Sequence, residues 1–347
     1  MKNPRQTLAY YYQRGTNWAQ KNGGKRAQLY FKTISEPFSR ETRAVAAGLA
    51  HYQGAAGSGS QLYLLRRNVH MLEKGLTMQP RRNRFGVDYI EATIRAFAEA
   101  VDAGTRSGLG APEYVWMVSV LDEYFTATQD SGDPTITAAR EAYARIEVRV
   151  IEERGGSGPH APQAHQDVNT VEVLGDLARG RRSVRWFLDE PVERKYVDKA
   201  VEIAAESPTA CNRQPYRFEI FDDPESVRKV ADIPMGTRGY GHQLPGIIVI
   251  VGDLGAFFDE RDRHLIYVDG SLAAMSLILG LEAQGISTCC INWPDIVHRD
   301  RAMASLLGLQ PHERVVMLLA YGYADPQGLV PFSAKREIDS VRKFRSL

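Results

Sequence analysis

The chain has 347 residues, of which 44% are hydrophobic and 24% charged, and its formal net charge is +1. This composition excludes a disordered or fibrous protein, and the near-neutral charge gives no general attraction to nucleic acid or to an anionic membrane. Because single cores stop growing near 250 to 300 residues, we expect more than one folded part.

Cysteine usage and the N-terminus bear on location. The three cysteines, Cys211, Cys289 and Cys290, are an odd number with two adjacent, unlike a disulfide framework. The N-terminus lacks the apolar segment of a signal peptide, and no stretch has the roughly 18 apolar residues of a membrane span. We expect a cytoplasmic protein with neither a membrane nor a nucleic-acid partner. No histidine spacing predicts a metal site.

The N-terminal half has a helical pattern. Apolar residues three or four apart predict helices over 61–76, 89–104, 112–127 and 137–153, and glycine-rich loops over 54–60 and 104–112 separate them. Residues 154–167 are rich in glycine, proline and polar residues, without an apolar period. We therefore predict a mostly α-helical domain over 1–153, a linker over 154–167 and a second domain over 168–347.

Two polar groups in this half allow two interpretations each. His70 and Glu73 are one helical turn apart, which suits an acid–base pair or a surface contact. Arg81, Arg82 and Arg84 suit an anionic ligand or a solvated turn.

Helices and strands alternate in the second half. The pattern predicts helices at 192–207, 224–232 and 269–284, and strands at 216–221, 246–253, 287–292 and 314–322. Continuous apolar strands between helices indicate a sheet covered on both faces. The fold class is therefore predicted to be α+β.

Two motifs in this half suggest a ligand. The run of Arg181, Arg182, Ser183 and Arg185 offers guanidinium and hydroxyl donors that suit a phosphate monoester, or forms a solvated basic turn. The segment 207–218 combines small residues and prolines with amides, which suits a flat ring system or an ordinary connection between helix and strand.

Together, in this order and separation, the two motifs resemble the nitroreductase family, whose members carry an R-R-S-x-R-x-F type element and an S-P-S-x-x-N-x-Q-P type loop. The likeness continues through 267–270, 285–288, 320–324 and a late basic pair, so that it covers residues 168–345. It implies a three-layer α/β/α sandwich that binds FMN.

The resemblance assigns FMN to one set of residues. Arg181 would lie near the phosphate and Arg185 near the pyrimidine edge, where a cation stabilises the reduced flavin. The loop 208–212 would pack on the flavin from the second subunit, which implies a homodimer. The implied cofactor-binding residues are Arg181, Arg182, Ser183, Arg185, Pro208, Thr209, Ala210, Asn212, Gln214, Lys335 and Arg336.

The resemblance also places Cys290, Asn292 and Trp293 near flavin N5, but Asn292 and Trp293 replace the family's acidic or small residue and glycine. Trp293 is expected to narrow the substrate pocket. The implied function is a ping-pong reduction by NADH or NADPH of an electron-poor small molecule, a nitroaromatic or a quinone. Two alternatives stay open: a specialised biosynthetic or flavin-fragmenting relative, and a non-catalytic flavin-binding or assembly protein.

Overall fold

A computed structural model describes residues 16, 18, 24–54, 60–104, 108–147, 158–161 and 170–346. Within these ranges the N-terminal half is helical, and its elements are α1 (Lys25–Thr33), α2 (Glu36–Gly54), α3 (Ser60–Leu76), α4 (Ile90–Ala103), α5 (Ala111–Ala127) and α6 (Pro134–Ala144). Most of the predicted linker lies outside the described residues, so the proposed domain division stays a prediction.

Three helices, α3, α4 and α5, agree with the predicted bounds to within one residue. Helix α6 begins before the predicted residue because Asp133 caps it and Pro134 follows, and its Asp133 carboxylate accepts from the Thr135 amide at 2.9 Å. The predicted continuation beyond Ala144 is not helical over 145–147, and residues 148–153 lie outside the described ranges.

Helix α2 escaped prediction because its buried stripe contains little apolar surface. The residues it buries four apart are Arg40, Ala44 and Gly48, a cation followed by two small residues. Hydrophobic periodicity cannot detect such a stripe.

The C-terminal half contains α7 (Thr170–Gly180), α8 (Arg194–Ala205), β1 (Tyr216–Phe221), α9 (Pro224–Ala231), β2 (Gly246–Asp253), α10 (Leu265–Glu282), β3 (Ser287–Asn292), α11 (Val297–Leu307), β4 (Glu313–Gly322) and α12 (Ile338–Val341). The four strands form one antiparallel sheet in the order β1-β2-β4-β3.

Strand β2 shows how the layers form, because its residues alternate between two cores. Ile247 and Val249 face the core that holds Val227 of α9 and Met303 of α11. Ile248 and Ile250 face the other core, with the buried residues of α8 and α10. The sheet is therefore covered on both faces, which confirms the predicted α/β/α sandwich and the α+β class.

Helix α10 is the most apolar of the described helices. The stretch Glu260–Glu282 is long and apolar enough, by length and composition, to cross a membrane. However, Ala273, Leu277 and Leu281 are fully buried, and the last two pack in the same core as β2. This composition is accounted for by a helix packed against a sheet.

The two halves meet at the turn that follows β2. The Tyr63 hydroxyl of α3 donates to Asp253 Oδ2 at 3.0 Å, and the ring of His51 in α2 stacks on His312 at 4.2 Å. Gly48 of α2 packs directly against the backbone of Leu254, because a β-carbon on Gly48 would lie 2.7 Å from the Leu254 carbonyl oxygen.

Replacing Gly48 by alanine should therefore destabilise the protein. Overpacking costs about 1–3 kcal/mol, which outweighs the roughly 1 kcal/mol that alanine gains in a helix. Gly175→Ala in α7 is the control, because its β-carbon would meet only the end of the Arg179 side chain. In urea unfolding, the free energy of unfolding should fall in G48A and should not fall in G175A. An increase in both variants would contradict the close approach of Gly48 to Leu254.

Candidate functional site

The basic motif forms an extra edge beside β3. Ser183 bridges to Thr288 in parallel, and the Val184 amide donates to the Thr288 carbonyl at 3.0 Å. The Phe187 amide donates to Gln243 Oε1 at 3.1 Å, and Gln243 Nε2 donates to the Arg185 carbonyl. The backbone of this motif is thus fixed while its side chains stay available.

No carboxylate oxygen lies within 4.0 Å of the guanidinium groups of Arg181, Arg182 or Arg185 in the described part of the chain. Arg182 donates a long hydrogen bond of 3.4 Å to the Arg181 carbonyl, and Arg185 donates one of the same length to the Ser183 carbonyl and lies beside the Tyr240 ring. All three are half-buried. Partly desolvated cations without acidic partners favour an anionic ligand.

Two further groups lie around Arg181. Desolvation raises the pKa of the Cys290 thiol, and the cation of Arg181 acts in the opposite direction. Burial also raises the pKa of Glu282, at the end of α10, against the same cation. The Cys290 thiol is therefore not an activated nucleophile, and Glu282 is a neighbour of Arg181 that sequence reasoning missed.

The second motif is a loop held by α10. The Ala210 amide donates to the buried carboxylate of Asp269 at 3.1 Å, and the Gln214 amide donates to Thr209 Oγ1 at 3.1 Å. The Gln214 side chain donates to Asn212 Oδ1 at 3.2 Å. The predicted loop residues Thr209, Ala210, Asn212 and Gln214 therefore form one hydrogen-bonded unit.

Backbone strain marks this loop. Cys211, Asn212 and Gln214 have φ values of 55°, 51° and 52°, in the left-handed region that favours glycine. Arg213 stabilises the loop from within, because it is only 3% exposed, donates to the Ala210 carbonyl at 3.1 Å and lies over the Phe257 ring. Backbone strain that the surrounding contacts maintain in this way is typical of ligand-binding loops.

One chain does not bring the two motifs together. The basic motif borders β3, and the strained loop leads into β1, while the strand order places β1 and β3 at opposite edges of the sheet. Three strand spacings of about 4.8 Å separate the edges by about 14 Å.

The late basic pair lies in an exposed segment after β4. Arg336 donates to Ser340, at 2.8 Å to its carbonyl and 3.2 Å to its hydroxyl. Within the described residues no hydrogen bond or ion pair joins Lys335 or Arg336 to Arg181, so one chain does not form the implied phosphate clamp.

The end of β3 lies near the loop that follows α9. Asn292 is exposed, and a β-carbon on Gly236 would lie 4.0 Å from Asn292 Oδ1. Gly236 belongs to the loop that lines a cavity of about 460 Å³ together with Met235, Arg238 and Arg299. Sequence reasoning missed this loop, because nothing in its residues separates it from an ordinary connection.

In the helical half, His70, Glu73 and Arg84 contact other side chains of the protein. His70 Nδ1 lies 3.6 Å from Glu73 Oε2, and Glu73 Oε1 accepts from the Trp116 indole at 3.1 Å. Arg84 pairs with Asp133 at 2.8 Å. Across the ranges that the structure describes, no cluster of His, Cys, Asp and Glu could hold a metal ion.

Asp269 supplies a pH-dependent test. Burial raises its pKa, against the Ala210 hydrogen bond, which lowers it. The folded state therefore holds a proton that the unfolded state has lost, and stability falls as pH rises from the ordinary aspartate pKa through the raised folded pKa.

Asp269→Asn should remove the loss of stability with rising pH, because the asparagine side-chain oxygen can still accept a hydrogen bond from the Ala210 amide but carries no charge. Urea unfolding between pH 3.5 and 7, values chosen around the ordinary aspartate pKa of about 3.9, measures it. Exposed Asp198→Asn is the control. An unchanged pH slope in D269N would show that Asp269 carries no burial cost.

Comparison with known proteins bears on the C-terminal half. The Nitroreductase family model matches residues 178–237 and 240–323. Human iodotyrosine deiodinase 1 is 24% identical over 216 residues, 52% of this chain and 74% of that protein. The NADH dehydrogenase of Thermus thermophilus is 24% identical over 192 residues, 46% of this chain and 91% of its own.

A solved structure described as an FMN-dependent nitroreductase from Clostridium difficile R20291 aligns with 49% of this chain and 98% of its own, at 20% identity and a TM-score of 0.42. The matched family segments span the sandwich, the basic motif and the strained loop. The resemblance to the nitroreductase family that the sequence motifs predict is therefore confirmed over this C-terminal half.

Proposed function

We propose that this protein is an FMN-dependent oxidoreductase that uses NADH or NADPH to reduce an electron-poor small molecule, a nitroaromatic or a quinone. The observation that carries the proposal is the set of half-buried cations, Arg181, Arg182 and Arg185, which have no carboxylate oxygen within 4.0 Å in the described chain and whose segment bridges to Thr288 near the start of β3.

The residues present fit FMN by their donor set. Arg181 and Ser183 supply the forked and hydroxyl donors that a phosphate monoester accepts. Arg185, whose guanidinium lies 5.9 Å from the Tyr240 ring centre, supplies a cation for the pyrimidine edge of a flavin. These side chains would bind and orient FMN, with Arg182 contributing mainly its backbone.

Bound FMN supplies the hydride chemistry, accepting from reduced nicotinamide and delivering to the acceptor. The protein's own part is to exclude water and to shape the acceptor's place. Asn292 and Trp293, at the end of β3, would limit acceptor size. The sequence has no G-x-G-x-x-G motif after a strand, so nicotinamide would bind over the same face as the acceptor.

We also infer a homodimer, in which the strained loop of one chain meets the basic motif of the other. Large exposed apolar side chains support it, since such surfaces mark interfaces. They include Val171 and Val173 of α7, Val268 and Leu272 of α10, and Leu329, Phe332 and Phe344 of the C-terminal segment. Lys335 and Arg336 belong to that segment and would reach the partner's phosphate site.

A second candidate is reductive deiodination, favoured by the similarity to human iodotyrosine deiodinase 1. Two electrons and one proton would replace the carbon–iodine bond by a carbon–hydrogen bond and release iodide. The same cofactor-binding residues would serve both reactions.

The proposed location is cytoplasmic, in keeping with three free cysteines.

Arg181→Ala should weaken FMN binding by about tenfold or more, because a charge-assisted hydrogen bond is worth about 1.5–3 kcal/mol. Quenching of flavin fluorescence measures the affinity. Arg179→Ala is the control, since Arg179 is exposed and pairs with Asp176 at 2.6 Å. Equal affinity of R181A and the unaltered protein would contradict the phosphate assignment.

Anaerobic mixing with NADH and NADPH should bleach the flavin absorbance of the FMN-loaded protein. Adding p-nitrobenzoate or menadione should then restore the colour if the first function is correct. Iodotyrosine should restore it with release of iodide if the second is correct. Protein that binds FMN but is bleached by neither nicotinamide would contradict the proposed electron donor.

A further inference from the structure

One cation of the helical half reaches the end of β3. Arg40, on α2, is only 8% exposed, and its Nη1 lies 2.8 Å from Asp295 Oδ1. Its Nη2 donates to Asp300 of α11, 260 residues along the chain. Arg40 therefore connects the helical half with the segment that follows Trp293.

Asp300 is the common acceptor of this cluster. Its Oδ1 accepts from the Trp293 indole Nε1 at 3.1 Å. Its Oδ2 accepts from Arg40 and, at 3.2 Å, from Arg314 of β4. Arg314 also lies 3.5 Å from Asp295. The carboxylate that orients the indole is thus itself held by two guanidinium groups.

The charges in this cluster balance, with two arginines for two aspartates. Arg40, Arg314 and Asp300 are at most 15% exposed, so that each depends on its partners more than on water. Without Arg40, two carboxylates would share Arg314. Removing one partner of a buried pair leaves an uncompensated charge, and the segment must then relax toward solvent.

We propose that Arg40 is a positioning residue through which the helical half fixes Trp293 and so sets the size of the acceptor that the site admits. This inference rests on the proposed function for the acceptor, whereas the coupling of Arg40 to Trp293 follows from the contacts alone. The helical half thereby has a role in specificity.

Arg301→Met is a matched control for Arg40→Met. Arg301 also crosses between α11 and α2, where it lies 3.3 Å from Glu36, but it is 71% exposed. None of its hydrogen bonds or ion pairs within the described residues joins Trp293 or Asp300. Both variants remove one cation from the same interface, and only R40M removes one from the Trp293 cluster.

The first experiment uses the full chain without flavin. The fluorescence of Trp293 is obtained by subtracting the spectrum of the same variant carrying Trp293→Phe. In R40M this fluorescence should shift to longer wavelength, and acrylamide should quench it about twofold more strongly, because the partly buried Trp293 side chain becomes more exposed to solvent. R301M should match the unaltered protein. Equal spectra for R40M and R301M would overturn the coupling.

The second experiment uses the FMN-loaded protein and compares kcat/KM for a small quinone, benzoquinone, with that for a bulky one, menadione. R40M should lower the preference for the small quinone about fivefold, within the range of coupled neighbours. W293F should do the same, and R40M added to W293F should change nothing further. Additive effects, or an equal loss for both quinones, would overturn the specificity role.

Two outcomes separate this inference from the proposed function. Flavin turnover with an unmoved Trp293 signal would leave the function standing and overturn the positioning role. A Trp293 shift in protein that binds no FMN would uphold the coupling and overturn both the acceptor pocket and the proposed function. If R40M does not fold, Arg40→Lys is measured in its place, since lysine keeps the charge but cannot contact two carboxylates with a forked guanidinium group. The changes in Trp293 fluorescence and in quinone preference should then be smaller and in the same directions.

Discussion

Helix α10 is the constraint on which both parts of the candidate site depend. Near its start Asp269 holds the strained loop, and at its end Glu282 lies beside Arg181. The two residues are 13 positions apart, about 20 Å along a helix. Because the helix is buried against the sheet, its two ends meet the strained loop and the surroundings of Arg181 at separate places along one rigid element.

The helical half adds a second constraint, applied at the turn after β2 and at the end of β3. The first contact is packing without space for a β-carbon, at Gly48 and Leu254. The second is a balanced group of buried charges around Asp300. Both contacts join described residues of the helical half to the sandwich.

The sandwich was largely predictable, because β2 is an uninterrupted apolar run and α10 is apolar all around. The basic motif was also predictable, since charge and hydroxyl groups are visible in the residues Arg181 to Arg185. The role of Arg40 was not predictable, because a cation on a helix is usually solvated and its partners here lie 255 and 260 positions away in the sequence. Asp269 and Arg213 were missed for the same reason, as their roles depend on contacts across the fold.

We propose that FMN binds between the basic motif of one chain and the strained loop of another. A crystal structure of the protein grown with FMN tests it most directly. We expect the phosphate at Arg181 and Ser183, with the flavin ring between the end of β3 and residues 208–214 of the partner. A flavin held by one chain alone, or a phosphate away from Arg181, would contradict it.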